Sequence, residues 1–195
     1  ALAIDTVVCD SIFFAGNNMI KGHEGTWVAS MGHLMGLFDN PWLNIPPTNK
    51  IIFLRYAEFN KVVSKKIVET AMFFDIPHFM NQAGLSPFHH QTGANIVQPG
   101  PSSHDGLLFE EQDEVESMKT KNAIEGMLDE LKVWKSTDRK TLVEELQKSW
   151  DKDMLWWGPE GIGATYTIER YADQHSGPFR ESFKFIRNAK HYRFY

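Results

Sequence analysis

Apolar and polar positions alternate with a period of two over much of the first 75 residues, and that alternation predicts a run of strands. Ile4 to Cys9 and Ile12 to Phe14 form a first short strand region, and the glycines of residues 21–25 form a turn. From residue 26 to about 38, Trp27, Ala29, Met31, His33 and Met35 share one face. Gly32 and Gly36 interrupt the other face and predict bulges that bend the strand. Residues 41–49 carry Pro41, Pro46 and Pro47, which lack the N–H a ladder needs, so this stretch reads as a loop packed down by Trp42. Residues 51–63 and 67–74 read as an antiparallel hairpin turning at residues 64–66.

The period then changes. Asp75 ends the last strand and caps a short helix over residues 76–83, with Pro77 in the first turn and Gly84 stopping it. Residues 86–112 are rich in Ser, Pro, Gly, His and Gln and read as a linker. Beyond them Ile124, Met127, Leu128, Leu131 and Trp134 fall at helical spacing, as do Leu142, Val143, Leu146 and Trp150, with Thr137 or Asp138 capping the second helix. Residues 154–157 predict a short strand, residues 158–163 a turn, and residues 168–183 a further helix capped by Thr167. The run His191-Tyr192-Arg193-Phe194-Tyr195 alternates as an unfinished strand would, and with Ala1 at the start it reads as a piece of a longer chain. There is no internal repeat.

Composition narrows the function classes. The 195 residues, 42% hydrophobic and 13% aromatic, can bury the core of one large or two small domains. A formal net charge of -5 leaves no basic surplus for a phosphate backbone or an anionic membrane surface, so neither nucleic acid nor membrane is an expected partner. No run approaches the roughly 20 apolar residues of a spanning helix, and no basic-then-apolar leader opens the chain, so the expected location is cytoplasmic. The single cysteine, Cys9, cannot form an internal disulfide, which fits a reducing compartment and equally a disulfide-free secreted protein.

Four stretches, in their order, resemble the SnoaL-like polyketide cyclases. Trp42-Leu43-Asn44-Ile45-Pro46-Pro47-Thr48-Asn49 is similar to that family's proline and threonine-glycine loop, with asparagine in the glycine place. Lys65-Lys66-Ile67-Val68-Glu69 resembles its hairpin turn, and Asp75 with Phe79-Met80-Asn81-Gln82-Ala83-Gly84 its aspartate, helix and glutamine-x-glycine ending. Trp156 to Ala164, with His175 and Phe179, resembles its early strand, turn and helix. The resemblance implies an α+β fold, a curved antiparallel sheet packed against helices as a cystatin-like cone that encloses an apolar ligand. Because the ending pattern precedes the beginning pattern, it also implies domain halves in permuted order. Residues 1–85 would be the strand-rich second half of one domain, 86–114 a linker, and 115–195 the helix-rich first half of another.

In that family the aspartate matching Asp75 is the general acid and base of an intramolecular aldol ring closure. Such chemistry needs one carboxylate beside an apolar cavity and no cofactor. Phe73, Phe74, Ile76, Phe79 and Met80 would supply the wall, and the competing role of Asp75 is that of a helix cap alone. Period two places Glu69, Phe73 and Asp75 on one face, so Glu69 could share the cavity, against the alternative of a solvated carboxylate near the turn. His33 could polarise a carbonyl, or be a satisfied core histidine. Tyr56 and Glu58 share a strand face and are ligand-binding candidates. Trp157 and His175 would line the cone from the other half, with core packing as the alternative for Trp157.

No metal is expected. The histidines show no two-turn helical pair, His23-Glu24 lacks a second histidine, and His89-His90 falls in the linker. The glycine turn at residues 158–163 lacks the Lys-Ser or Lys-Thr of a phosphate loop. The leading expectation is therefore a cyclase or isomerase acting on a polyketide-like or other small carbonyl compound. The competing ones are a non-catalytic ligand-binding module of the same fold and a homo-oligomer formed through the open sheet face.

Overall fold

Period-two alternation becomes a four-stranded antiparallel sheet in the computed structural model, which describes residues 8–17, 25–131 and 138–183. The protein is mixed α+β, and among the described residues the sheet is not closed into a barrel. It divides into a sheet unit, built on residues 8–89 and 97–111, and a helical unit, built on residues 90–96 and 112–183. Residues 4–7 of the expected first strand, residues 21–24 of the expected turn, Trp134, Thr137 and the terminal aromatic run lie outside the described residues.

The sheet strands β1 (Val8–Asn17), β2 (Thr26–Leu37), β3 (Ile51–Val63) and β4 (Lys66–Phe74) lie side by side in chain order. Register assigns the faces. His33 opposes Arg55, Met31 opposes Ala57 and Met35 opposes Phe53 on one face; Leu34 opposes Leu54, Gly36 opposes Ile52 and Gly32 opposes Tyr56 on the other. The core gathers on this second face, where Phe38, Ile45, Ile52, Leu54 and Phe79 are buried together and Leu34, Trp42, Ile76 and Met80 close around them. Phe79 arrives on helix α1 (Ile76–Gln82), its ring 4.8 Å from Phe38 and 5.2 Å from Trp42. The proline-containing loop folds over the cluster through paired backbone bonds between Trp42 and Ile45.

Of the two bulges expected in β2, the structure has one, and its extra residue belongs to the neighbouring strand. The β1–β2 register slips between Ser11 and Phe13, opposite Gly32. A Cβ at Gly32 would sit 2.0 Å from the Asp10 carbonyl oxygen, so glycine lets the bulged strand close in. Gly36 instead pairs in unbroken register with Ile52. The β3–β4 turn holds Ser64 at φ 51° and Lys65 at φ 63°, two left-handed residues in the manner of a type I′ turn.

The helical unit contains α2 (Glu114–Leu131), α3 (Arg139–Leu146), the strand pair β5 (Leu155–Trp156) and β6 (Thr165–Tyr166), α4 (Thr167–Tyr171) and α5 (Gly177–Ser182). Asp138 caps α3 by accepting the Thr141 N–H at 3.0 Å. Leu142, Leu146, Ile168, Tyr171 and Ala172 form its core. The helix expected over residues 168–183 is broken by a π-helical turn at Ala172–Ser176. There the Gly177 N–H reaches the Ala172 carbonyl, and a Cβ on Gly177 would come within 2.7 Å of that oxygen. Thr167 is itself the first residue of α4, at φ 62°, and its hydroxyl accepts the Arg170 N–H at 3.5 Å.

The stretch read as a linker is used twice for backbone pairing. Gly93 and Ala94 donate to the carbonyls of Ile162 and Ala164 in the helical unit. Residues 106–108 pair with Phe14 along the outer edge of β1 in the sheet unit.

Candidate functional site

Cross-strand register aligns four chemistry-bearing residues that are far apart in sequence. Asp10 on β1 opposes His33 on β2, His33 opposes Arg55 on β3, and the Asp75 N–H donates to the Arg55 carbonyl at 3.1 Å just past the end of β4. Arg55 Nη1 stands 3.6 Å from Asp75 Oδ2, with the two side chains 12% and 9% exposed. The other oxygen, Oδ1, accepts the His78 N–H at 3.1 Å and caps α1. Asp75 therefore fills the cap role expected of it and is held against a cation as well.

His33 is fully buried and His78 nearly so. Burial first, then the Arg55 charge, push the His33 imidazole down to about 4, with Asp10 opposing. Burial and Arg55 likewise lower His78, against the pull of Asp75. Both rings are neutral at pH 7, and a neutral imidazole both donates and accepts a hydrogen bond.

Gln82 completes the arrangement. β4 ends at Phe74, opposite Tyr56, which leaves the backbone of Phe53 beyond its reach. Gln82, in the last turn of α1, takes over: its Oε1 accepts the Phe53 N–H at 2.8 Å and its Nε2 donates to the Phe53 carbonyl at 2.6 Å. The same Nε2 lies 3.2 Å from His78 Nδ1. Arg55, His78 and Gln82 were not among the residues expected from sequence. A strand that stops short of its partner, followed within one short helix by an amide, is the signal that marks Gln82; Arg55 and His78 are marked only by register.

The expected site residues fall into four groups. Asp75 and His33 belong to the row. Tyr56 and Glu58 lie on the opposite face of β3. The buried Tyr56 hydroxyl is 2.9 Å from Ser30 Oγ, 3.1 Å from Ser11 Oγ and 3.2 Å from Cys9 Sγ, and burial raises its pKa. Glu69 opposes Lys61 near the hairpin turn and is exposed, as is Phe73, whose ring meets Phe59 edge-on at 6.2 Å. Of the expected apolar wall, Phe79, Ile76 and Met80 belong to the hydrophobic core.

Trp157 and His175 belong to the helical unit. The His175 ring stacks on Trp156, centroids 4.0 Å apart and planes within 12°, with Tyr171 and Phe179 at its edges, and burial lowers its pKa. An open cleft of about 340 Å³ in this unit is lined by Met127, Leu131, Leu146 and Trp150 beside the Glu145–Arg180 ion pair of 2.9 Å, and none of the expected site residues lines it.

Among the described residues, no three His, Cys, Asp or Glu side chains converge as a metal site requires, and no helix is long and apolar enough to cross a membrane. No protein-family model, no curated protein and no solved structure matches the chain.

Proposed function

We propose that this chain is a SnoaL-like cyclase or isomerase that moves a proton on a small apolar carbonyl compound, with Asp75 as the acid and base. The observation that supports it is the row of Asp10, His33, Arg55 and Asp75, in which the Arg55–Asp75 ion pair adjoins two buried histidines, His33 and His78, whose pKa values are lowered by burial; such groups gather at functional sites. In this reading Asp75 removes a proton from the carbon between two carbonyls, and the electron pair moves to the carbonyl oxygen. Arg55 supplies the positive charge that the resulting enolate oxygen requires. The enolate carbon then attacks a second carbonyl, and the proton held by Asp75 passes to the new alkoxide. The cone shape and the exchanged domain halves are part of the same proposal: the hairpin, aspartate and helix α1 stand before the second strand-turn-helix stretch, in the reverse of the family's order.

A second reading, a non-catalytic ligand-binding module of the same fold, is favoured by one feature. The capping bond and the ion pair engage both carboxylate oxygens of Asp75. Solvent-deuterium incorporation at the central carbon of an apolar aryl 1,3-diketone, followed by NMR, separates the two. Asp75→Asn is expected to abolish protein-catalysed exchange while keeping the cap; Asp75→Ala is expected to abolish it too and to be less stable than Asp75→Asn by about 0.5–2 kcal/mol in urea unfolding. Exchange at the wild-type rate in Asp75→Asn leaves the cap and ion pair as the whole role of this residue. Exchange no faster than buffer with the wild-type chain leaves the ligand-binding reading.

A further inference from the structure

Gln82 leaves His78 a single tautomer. The Gln82 amide fits the backbone of Phe53 in one orientation alone, because Oε1 accepts the Phe53 N–H at 2.8 Å and Nε2 donates to the Phe53 carbonyl at 2.6 Å. Turned over, it would set oxygen against oxygen and N–H against N–H. The second hydrogen of Nε2 lies between His78 Nδ1 at 3.2 Å and the His78 carbonyl at 3.3 Å. A planar amide nitrogen accepts no hydrogen bond, so a proton on Nδ1 would meet only a donor. Nδ1 is therefore the bare, accepting nitrogen, and the neutral ring carries its proton on Nε2.

That Nε2–H has no hydrogen-bond partner among the described residues, although His78 is only 2% exposed. A donor nearly shut off from water and left without an acceptor is rare in a folded protein, and a ligand oxygen is one group that satisfies it. The surroundings suit an oxygen that gains negative charge. The His78 backbone N–H holds Asp75 Oδ1, and Asp75 Oδ2 stands 3.6 Å from Arg55. The charges of Arg55 and Asp75 both act on the His78 ring, which in turn acts on His33.

We propose that His78 is a second hydrogen-bond donor to the substrate's carbonyl oxygen, beside Arg55, and that Gln82 is the positioning residue that fixes its Nε2–H tautomer. The proposal rests on the reading of Asp75 as acid and base. When Asp75 takes the proton from carbon, the electron pair moves to the carbonyl oxygen. Arg55 meets the charge, and His78 Nε2–H donates a hydrogen bond to the same oxygen while keeping its proton. A neutral imidazole suits this place because it donates without adding a second cation beside Arg55.

Long-range proton–nitrogen NMR of the full wild-type chain at pH 7 is expected to show His78 with a bare Nδ1 and a protonated Nε2. Benzoylacetone, an aryl 1,3-diketone, is expected to move that N–H proton downfield. Gln82→Glu sets a carboxylate oxygen against Nδ1 and is expected to draw the proton there, a change that a merely structural role of Gln82 would not produce. His78→Phe removes the donor and is expected to slow deuterium incorporation into benzoylacetone by about 10²- to 10³-fold. His78→Gln, whose amide carries an N–H at similar reach, is expected to recover most of that loss. A proton on Nδ1 in the wild type, or a tautomer unchanged in Gln82→Glu, overturns the positioning role. Exchange that needs Asp75 but keeps its wild-type rate in His78→Phe overturns the donor role alone. Exchange no faster than buffer with the wild-type chain overturns the donor role together with the Asp75 reading.

Discussion

The two units solve the burial of polar groups in different ways. In the sheet unit, alternation separates the problem onto two faces: aliphatic and aromatic side chains meet α1 on one, and His33 and Arg55 lie on the other. In the helical unit there is no extended alternation, and apolar and titratable groups share one pile, with His175 stacked on Trp156 beside Tyr171 and Phe179. Both histidines are lowered by burial, but only His33 also stands beside a cation, Arg55. The lesson is that a sheet can hold a charged row at no cost to its apolar core, whereas short helices must pack a histidine as an aromatic ring.

Removing the centre of one core shows whether the other depends on it. Phe79→Ala deletes a fully buried ring and is expected to cost about 3–5 kcal/mol, measured by urea unfolding followed through far-UV circular dichroism. If the units are separate in stability, the loss falls on the β-rich signal, and the fluorescence of Trp150, Trp156 and Trp157 unfolds at its wild-type midpoint. A common shift of both signals would make the two cores one cooperative unit.

Acid sharpens the contrast between the histidines. The folded-state pKa of His33 is about 4, below the unfolded value of 6.5, so the unfolded chain binds the proton more readily. The stability contributed by neutral His33 is complete above pH 6.5 and is lost as pH falls from there to about 4, a loss of the order of 3 kcal/mol. His33→Gln is expected to flatten that part of the stability curve, measured by urea titrations between those limits. The same slope in wild type and His33→Gln would assign the acid sensitivity to other groups.

The smallest effect concerns the hairpin. Lys65 sits at φ 63° in a turn where glycine carries no Cβ penalty, and Lys65→Gly is expected to stabilise the sheet unit by about 1 kcal/mol. An unchanged or lower urea midpoint for the β-rich signal would show that the left-handed turn is already unstrained with lysine.

Much of the sheet unit was legible because period two is a local signal. The limits of β3, the hairpin turn, the cap of α1 by Asp75 and the helical face of Leu142 and Leu146 all follow from side chains within a few residues of one another. Local pattern therefore sets which residues of the sheet unit form strands and which side chains within one strand share a face. It could not say that Asp10, His33, Arg55 and Asp75 form one row, because register depends on where each strand starts against its neighbour, and a slip of one residue reverses every face. Nor could it say that Gln82 would replace a missing strand beside Phe53, or that the bulge opposite Gly32 would fall in β1. Those were decided by tertiary structure, since a backbone group left short of its partner, or two backbones brought too close, exists only after distant segments have met.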